Sequence, residues 1–234
     1  AILEMSATAK GAMAPQCGLA PGLIGIIGSD LAKRFTKLRD IELRVGALPM
    51  YPNGLLGYSF TWSPAGVINE YINDSEVIHN GVKKMVPSLD GLEHINIEGR
   101  DYEAFSTSGG LGTMCETYEG KVDTLNYKTI RYPGHAKLMR FLLYELILKE
   151  KRELVEQILT EAKPPVAEDV VIVYAVVDNN NLKPDTAKKK LDTTKYQLED
   201  FKNTTKENFA LFNDKKLDSF LIKNGFDAKY RSTS

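Results

Sequence analysis

Two glycine-rich segments have the composition of loops that bind anions or carboxamides. The first is Cys17-Gly18-Leu19-Ala20-Pro21-Gly22, which runs directly into an apolar helical pattern that begins at Leu23. The first amides of a helix have no intrahelical partner and lie at the positive end of the helix dipole. The loop therefore has two interpretations, which are a binding site for a carboxylate or carboxamide and a plain strand-to-helix connection.

The second segment is Ser106-Thr107-Ser108-Gly109-Gly110-Leu111-Gly112. Hydroxyls followed by glycines allow the backbone to approach an anion, which makes Ser108, Gly109 and Gly110 candidate substrate-binding residues. The alternative is a helix N-cap, in which one hydroxyl accepts from an orphan amide. A dinucleotide-binding GxGxxG motif would need its third glycine at Cys115, so we reject that interpretation.

Arg131 and His135 are the candidates for direct chemistry. They lie in Thr129-Ile130-Arg131-Tyr132-Pro133-Gly134-His135, where a predicted strand gives way to a helix. Arg131 has the geometry to pair with a substrate carboxylate through two hydrogen bonds, and His135 can carry a proton near neutral pH. The alternatives are a solvated arginine on a strand and a histidine that caps a helix. The three histidines of the chain show no metal-ligand spacing, so no metal site is predicted.

The composition is that of an ordinary globular domain. The 234 residues are 43% apolar and 26% charged, and the formal charge of -1 favours neither nucleic acid nor an anionic membrane as a partner. Two cysteines form neither a disulfide framework nor a zinc motif, which favours a reducing, cytoplasmic setting. No apolar run approaches the ~20 residues of a membrane-spanning helix.

Hydrophobic periodicity predicts the elements that position these candidates. The predicted helices cover residues 23–35, 63–71, 109–116, 133–146 and 152–162. The predicted strands cover residues 39–45, 58–62, 125–132 and 170–177, with several short strands between 76 and 105. Because several strands follow one another with only turns between them, we expect an α+β fold with a mixed, largely antiparallel sheet and helices on one face. Residues 183–234 are polar, and Leu217, Phe220 and Leu221 have helical spacing, which predicts a helical tail.

Several phrases taken together resemble the saccharopine dehydrogenase family. They are the loop Cys17-Gly18-Leu19-Ala20-Pro21-Gly22, the stretch Leu48-Pro49 with Gly57-Tyr58-Ser59-Phe60-Thr61-Trp62-Ser63-Pro64, the triplet Asn69-Glu70-Tyr71, and Lys128-Thr129-Ile130-Arg131-Tyr132-Pro133-Gly134-His135. The resemblance covers about residues 14–178, in the family's order. Thr107-Ser108-Gly109-Gly110-Leu111-Gly112-Thr113 is similar to lysine 6-dehydrogenase-like members. The Asn-Arg-Asp-Ser-Thr phrase of saccharopine-forming enzymes is not found, and carboxynorspermidine dehydrogenases, which share Pro-Gly-His, stay open.

The resemblance implies a two-domain oxidoreductase that acts on a C–N bond of an amino acid, or runs the reverse reductive condensation, with NAD or NADP. It implies a substrate domain with the topology of the glyceraldehyde-3-phosphate dehydrogenase catalytic domain, which binds an amino-acid-like substrate and forms a homodimer through its sheet. Its implied cofactor-side residues are Gly18, Leu19, Ala20, Pro21 and Gly22. Ser108, Gly109, Gly110 and Arg131 would hold the substrate, and His135 would have the catalytic role.

Two departures from the family pattern set the expected domain organisation. The strand, glycine-rich turn and helix of a nucleotide-binding domain are not found, so we expect residues 1–13 to be its remnant and 14–182 to be the substrate domain. Residues 183–234 do not match the partner strand and return connection that the family has after the strand at 170–177. We therefore expect a chain that binds no NAD(P) alone and is inactive alone. The alternative is a non-catalytic dimerisation or interaction module derived from the family.

Overall fold

The computed structural model describes residues 11, 15–60 and 62–179, and the backbone of 208–212. Its helices are α1 (Leu23–Ala32), α2 (Pro64–Ile72), α3 (Met114–Tyr118), α4 (His135–Arg140) and α5 (Arg152–Ala162), with a π-helical turn at Phe141–Glu145 and a 3₁₀ turn at Leu148–Glu150. Its strands are β1 (Asp40–Pro49), β2 (Ser75–His79), β3 (Val82–Val86), β4 (Glu93–Ile97), β5 (Arg100–Ser106), β6 (Thr124–Arg131), β7 (Asp169–Asp178) and β8 (Asn208–Phe212).

The strands in the described part of the chain form one mixed sheet. Its main path runs β3-β2-β6-β1-β7-β8, while β5 pairs with the far half of β6 and β4 pairs with β5. The β1–β6 pair is parallel, and every other pair is antiparallel. The predicted fold class, a mixed and largely antiparallel α+β sheet, is confirmed.

The centre of the sheet follows from its two longest strands. Strand β7 is a run of β-branched and apolar residues, and it pairs with β1 over ten residues from Asp40↔Asp178 to Pro49↔Asp169. Helix α1 packs on these two strands. A Cβ at Gly28 would lie 2.8 Å from a methyl carbon of Leu43. Because Gly28 has no side chain, α1 can pack this close to β1.

Helix α2 confirms a prediction made from its first two residues. Ser63 caps the helix by accepting a hydrogen bond from the amide of Gly66 at 3.1 Å, and Pro64 occupies the first turn. The helix packs against α5. It ends at Ile72, and its last turn places Tyr71 within hydrogen-bond distance of Arg131 at the end of β6.

Two local predictions were wrong. Residues 58–60 pair with no strand in the described part of the chain; Tyr58 and Phe60 are buried, so their alternation reports packing rather than a β-ladder. The helix predicted from Gly109 begins at Met114, because Gly109 and Gly112 take φ angles of +84° and +56°, which an α-helix does not accept.

The tail prediction was wrong at Asn208–Phe212, which is a strand and not a helix. These residues pair antiparallel with β7, from Val171↔Phe212 to Ala175↔Asn208. The outer edge of β7 offers a row of unpaired amides and carbonyls, and pairing with it outweighs local helix propensity. Leu217, Phe220, Leu221 and the proposed remnant at 1–13, apart from Gly11, lie outside the described residues. The predicted domain boundaries stay a prediction.

Candidate functional site

The two glycine-rich loops predicted from sequence pack against each other. A Cβ at Gly112 would lie 3.3 Å from the Cβ of Pro21 and 2.6 Å from the side-chain oxygen of Gln16. On the other side of the same loop, a Cβ at Gly110 would lie 2.1 Å from the ring of Tyr127 on β6. The glycines therefore permit a close approach of the two loops to each other and of the second loop to β6, whose last residue is Arg131.

The loop from Gly18 to Gly22 satisfies its own helix amides. Leu23 N donates to Gly18 O at 2.9 Å, Ile24 N donates to Leu19 O at 3.1 Å, and Gly18 N donates to Pro21 O at 3.0 Å. Amides that are already bonded cannot grip a phosphate in the way that a free helix N-terminus does. The amides of Gly18, Leu23 and Ile24 are therefore not free to bind a phosphate.

The second loop is tied to α2 and to β6. Ser108 donates its amide to Glu70 O at 3.1 Å and its hydroxyl to Asn69 O at 3.4 Å. The hydroxyl oxygens of Thr107 and Thr129 lie 2.7 Å apart. Both donors of Ser108 are thus used within the protein, and Gly109 is the exposed residue of the loop.

Arg131 is a buried cation with only 3% of its surface exposed. Its Nε donates to the Tyr71 hydroxyl at 2.8 Å and its Nη1 donates to Ile130 O at 2.8 Å. Its guanidinium carbon lies 4.5 Å from the ring centroid of Tyr58. Burial disfavours the charged form, but Tyr71, Tyr58 and Glu70 outweigh burial and raise the pKa of Arg131, so the guanidinium stays charged.

No carboxylate in the described part of the chain forms an ion pair with Arg131. The residue directly opposite on β5 is Glu103, which is buried beside it in the sheet. The two oxygens of Glu103 accept instead from the amides of Gly134 at 2.9 Å and Ala136 at 2.6 Å, at the start of α4. Glu103, the neighbour on β5 whose negative charge could neutralise Arg131, is therefore bonded to backbone amides at the start of α4 instead.

His135 is held in one tautomer. It is 1% exposed, its Nδ1 lies 2.9 Å from Leu56 O, and its Nε2 lies 3.0 Å from the Tyr71 hydroxyl. A carbonyl can only accept, so Nδ1 carries the proton and Nε2 accepts from Tyr71, which itself accepts from Arg131. Burial, together with the charge of Arg131, lowers the pKa of His135 to about 3 against the opposing hydrogen bond to Leu56. The ring is neutral at physiological pH.

Sequence reasoning missed three further residues of this cluster. Glu70 is half-buried, and burial raises its pKa to about 7 against the lowering effect of Arg131. The Tyr58 hydroxyl is buried and has no hydrogen-bond partner among the described residues. Tyr71 links Arg131 to His135. All three stand in the phrases quoted above, but two are aromatic residues in apolar stripes, which predict packing.

Other chemistry finds little support in the described residues. They contain no group of three or more histidine, cysteine, aspartate or glutamate side chains that could hold a metal ion. Burial raises the pKa of the Cys115 thiol to about 12, which makes it a poor nucleophile. None of the helices that the structure describes is long and apolar enough to cross a membrane.

A family model for the saccharopine dehydrogenase C-terminal domain matches residues 18–212. This range contains the first glycine loop from Gly18 onward, the second glycine loop, Arg131, His135 and all eight described strands. The chain belongs to this saccharopine dehydrogenase family. The match extends beyond residue 178, the end of the range that the sequence resemblance covers, and includes β8.

A solved saccharopine dehydrogenase structure has a similar fold. It is the apo, histidine-tagged, L-Glu-forming saccharopine dehydrogenase from Saccharomyces cerevisiae, with a TM-score of 0.50 and 14% sequence identity. The alignment covers 69% of this chain and 56% of the yeast chain. The present chain thus spans little more than half the length of that enzyme, and the likeness concerns the fold. Enzymes of the saccharopine dehydrogenase family normally use NAD(P).

Proposed function

We propose that this chain is the substrate-binding part of an NAD(P)-dependent amino-acid oxidoreductase, which oxidises a C–N bond or runs the reverse reductive condensation. The observation that carries the proposal is Arg131, a buried guanidinium without an ion pair among the described residues, at the end of the strand against which the second glycine loop packs through Tyr127. An unpaired buried charge costs several kcal/mol. A substrate carboxylate would offset that cost and be fixed in orientation by it.

The surrounding side chains hold the guanidinium for this task. Tyr71 and Ile130 engage Nε and Nη1, and the ring of Tyr58 covers one face. In the described residues Nη2 has no hydrogen-bond partner, which leaves it for a carboxylate. Because both nitrogens of His135 are engaged and its ring is neutral, we propose that His135 orders this pocket through Tyr71.

The loop at Gly18–Gly22 fits one side of a nicotinamide better than it fits a whole dinucleotide. The amides of Gly18, Leu23 and Ile24 are bonded within the loop, and among the described strands a single pair, β1 with β6, is parallel. These observations support the proposal that the described residues do not grip the pyrophosphate. When bound, the dinucleotide supplies the hydride acceptor; we propose that a separate nucleotide domain grips it, and that Leu19, Ala20 and Pro21 face its ring.

Titration calorimetry of the chain with L-lysine, L-glutamate and saccharopine tests the proposal. We expect at least one to bind, and Arg131→Gln to weaken that binding by tenfold or more because the carboxylate loses its charged partner. Arg140→Gln is the matched control, since Arg140 is exposed and bonds Leu89 and Asp90 instead. NADH should give no binding heat with this chain. Carboxylate binding that is indifferent to Arg131, or micromolar NADH affinity, would contradict the proposal.

The finer predictions made from sequence continue as proposals. They are a lysine 6-dehydrogenase-like substrate choice, a homodimer through the sheet, a cytoplasmic setting, and substrate contacts from Ser108, Gly109 and Gly110. For the loop, the structure favours contact through the exposed backbone at Gly109, because the donors of Ser108 already bond to α2. The family relation alone does not choose between an enzyme part and an interaction module. Arg131-dependent binding would favour the enzyme part.

A further inference from the structure

Two exposed asparagines in the described part of the chain are each followed by a glycine. One pair is Asn53-Gly54, between β1 and α2, and the other is Asn80-Gly81, in the turn between β2 and β3. A third pair, Asn224-Gly225, lies outside the described residues. In such a pair the glycine amide nitrogen can attack the side-chain carbonyl carbon of the asparagine, because glycine has no side chain to obstruct the approach. The hydrogen bonds around each pair decide how readily this attack occurs.

At Asn53 the carbonyl carbon is activated and the attacking nitrogen is accessible. The Nζ of Lys163 donates to the side-chain oxygen of Asn53 at 3.2 Å and to its backbone oxygen at 3.3 Å. The amide nitrogen of Gly54 donates no hydrogen bond to any residue that the structure describes. An ammonium that bonds to an amide oxygen stabilises the negative charge that develops on this oxygen during attack. The surroundings of Asn53 therefore favour the reaction.

The Asn80-Gly81 pair has the opposite surroundings. The amide of Gly81 donates to Asp123 O at 3.0 Å, so both its nitrogen and its proton are engaged. Asn80 and Gly81 take φ angles of +53° and +77°, and the pairing of His79 with Val82 on either side holds this tight turn. No lysine or arginine among the described residues donates to the Asn80 side chain. The two pairs therefore share a sequence and an exposed asparagine but differ in their expected reactivity.

We propose that Asn53 is a deamidation site activated by Lys163, at which the Gly54 amide nitrogen displaces ammonia. The nitrogen of Gly54 loses its proton and forms a bond to Cγ of Asn53, the bond from Cγ to Nδ2 breaks, and ammonia leaves with that proton. The product is a cyclic succinimide. Water then opens the ring, which gives aspartate if the bond to Cγ breaks and isoaspartate if the bond to the backbone carbonyl carbon breaks. The reaction consumes water and needs no oxidant or reductant.

The modification would reach the site that contains His135, and it does not depend on the substrate role proposed for Arg131. Asn53 lies shortly before Leu56, whose oxygen accepts from Nδ1 of His135 at 2.9 Å. In isoaspartate the main chain runs through Cβ and Cγ and is longer by one methylene. We therefore expect conversion to displace Leu56 and to change the Nδ1 signal of His135 in nitrogen NMR. An unchanged signal in the converted chain would contradict this consequence.

Timed incubation of the full chain in a mildly alkaline buffer, followed by digestion and mass spectrometry, tests the proposal. Exchange of NH2 for OH raises the mass of a peptide, and methylation by an isoaspartyl methyltransferase identifies the isoaspartyl product. We expect Asn53 to convert roughly tenfold faster than Asn80, because the hydrogen bond of the Gly81 amide must break before attack. In urea the two pairs should convert at similar rates, since the difference lies in the fold and not in the sequence.

Two lysine variants test the role of the ammonium. Lys163→Met should slow the conversion of Asn53 by roughly threefold or more, because an oxyanion donor is lost at an exposed site. Lys37→Met, which removes an exposed lysine between α1 and β1, is the matched control and should leave the rate unchanged. Equal rates at Asn53 and Asn80 in the folded chain, or no effect of Lys163→Met, would overturn the proposal. The comparison of Asn53 with Asn80 uses the unaltered chain, so it holds even if a variant does not fold.

Discussion

Two buried arginines on neighbouring strands differ in their partners: Arg44 is ion-paired, and Arg131 has no ion pair among the described residues. Arg44 on β1 is 2% exposed and Arg131 on β6 is 3% exposed. The register pairs Arg44 with Lys128, three residues from Arg131, so the two side chains leave the sheet on opposite faces. Arg44 donates to both oxygens of Glu93, to Asn126 at 2.6 Å and to Leu43 O at 3.0 Å.

The difference shows that burial alone does not assign a role to an arginine. Glu93 also accepts from Lys128 at 2.7 Å, and despite burial its two cationic partners lower its pKa. That network is complete without a ligand. Arg131 has polar and aromatic neighbours but no carboxylate among the described residues, because Glu103 is committed to α4 and Glu70 stands apart. The first arrangement stabilises the fold, and the second leaves a charge for a ligand.

Breaking the network of Arg44, Glu93 and Lys128 should give the largest loss of unfolding free energy. Arg44→Met leaves the half-buried Glu93 with Lys128 alone. Removal of one partner of a fully buried pair costs about 3–5 kcal/mol, and we expect the lower end of that range here because Glu93 is partly exposed. Urea unfolding followed by circular dichroism would measure this. The double variant Arg44→Met with Glu93→Met should recover only part of the loss, because Glu93 is no longer left without Arg44 but Lys128 then loses its ion pair. A cost below about 1 kcal/mol for the single variant would mean that the network contributes little.

The pH dependence of stability should reveal the neutral state of His135. Its folded pKa of about 3 lies below the ordinary value of 6.5, so between these values the unfolded chain binds a proton that the folded chain refuses. The contribution of His135 to stability is therefore complete above pH 6.5 and is lost as the pH falls toward 3. About 2 kcal/mol of unfolding free energy should be lost between pH 8 and pH 5.

Glu70 titrates in the opposite sense and would mask this loss. Its pKa is raised by folding, so its contribution is complete below the ordinary value of 4.5 and is lost as the pH rises through about 7. The measurement therefore uses a Glu70→Gln background, with and without His135→Gln, and the slope against pH is the readout. Nitrogen NMR should also show His135 in its Nδ1–H tautomer without titration between pH 8 and 5. Protonation of the ring in that range would contradict its structural role.

Local sequence patterns were sufficient for the elements that carry the site. The unbroken apolar run of β7, the Ser63-Pro64 start of α2 and the strand that ends at Arg131 all gave correct elements. The first glycine loop was also correct as a loop, whereas the second was predicted to become helical at Gly109 and does so only at Met114. That they meet beside β6 follows from tertiary packing, in which Gly110 and Gly112 permit the contact.

The missed features depend on residues distant in the sequence. Arg44 pairs with Glu93, which is 49 positions away, and no local sequence pattern around either residue predicts this ion pair. Strand β8 exists because β7 has an open edge, and local helix propensity in the tail gave the opposite prediction. Glu70 was named only as part of the Asn69-Glu70-Tyr71 phrase, with no role assigned to it. Its importance comes from a neighbour on β6 that neutralises it only partly, which no spacing rule detects.

Arg131→Met should have the smallest effect on stability, and its comparison with Arg44→Met best distinguishes a ligand-binding arginine from a structural one. Arg131→Met removes hydrogen bonds to Tyr71 and Ile130 and the contact with the Tyr58 ring, but it also removes an unpaired buried charge. Replacing such a charge by an apolar side chain of similar volume is often neutral, so we expect the unfolding free energy to change by no more than about 1 kcal/mol. Ligand-induced stabilisation should vanish in the same variant. If Arg131→Met instead cost as much as Arg44→Met, Arg131 would be a structural cation with partners of its own, and the carboxylate site would lose its physical basis.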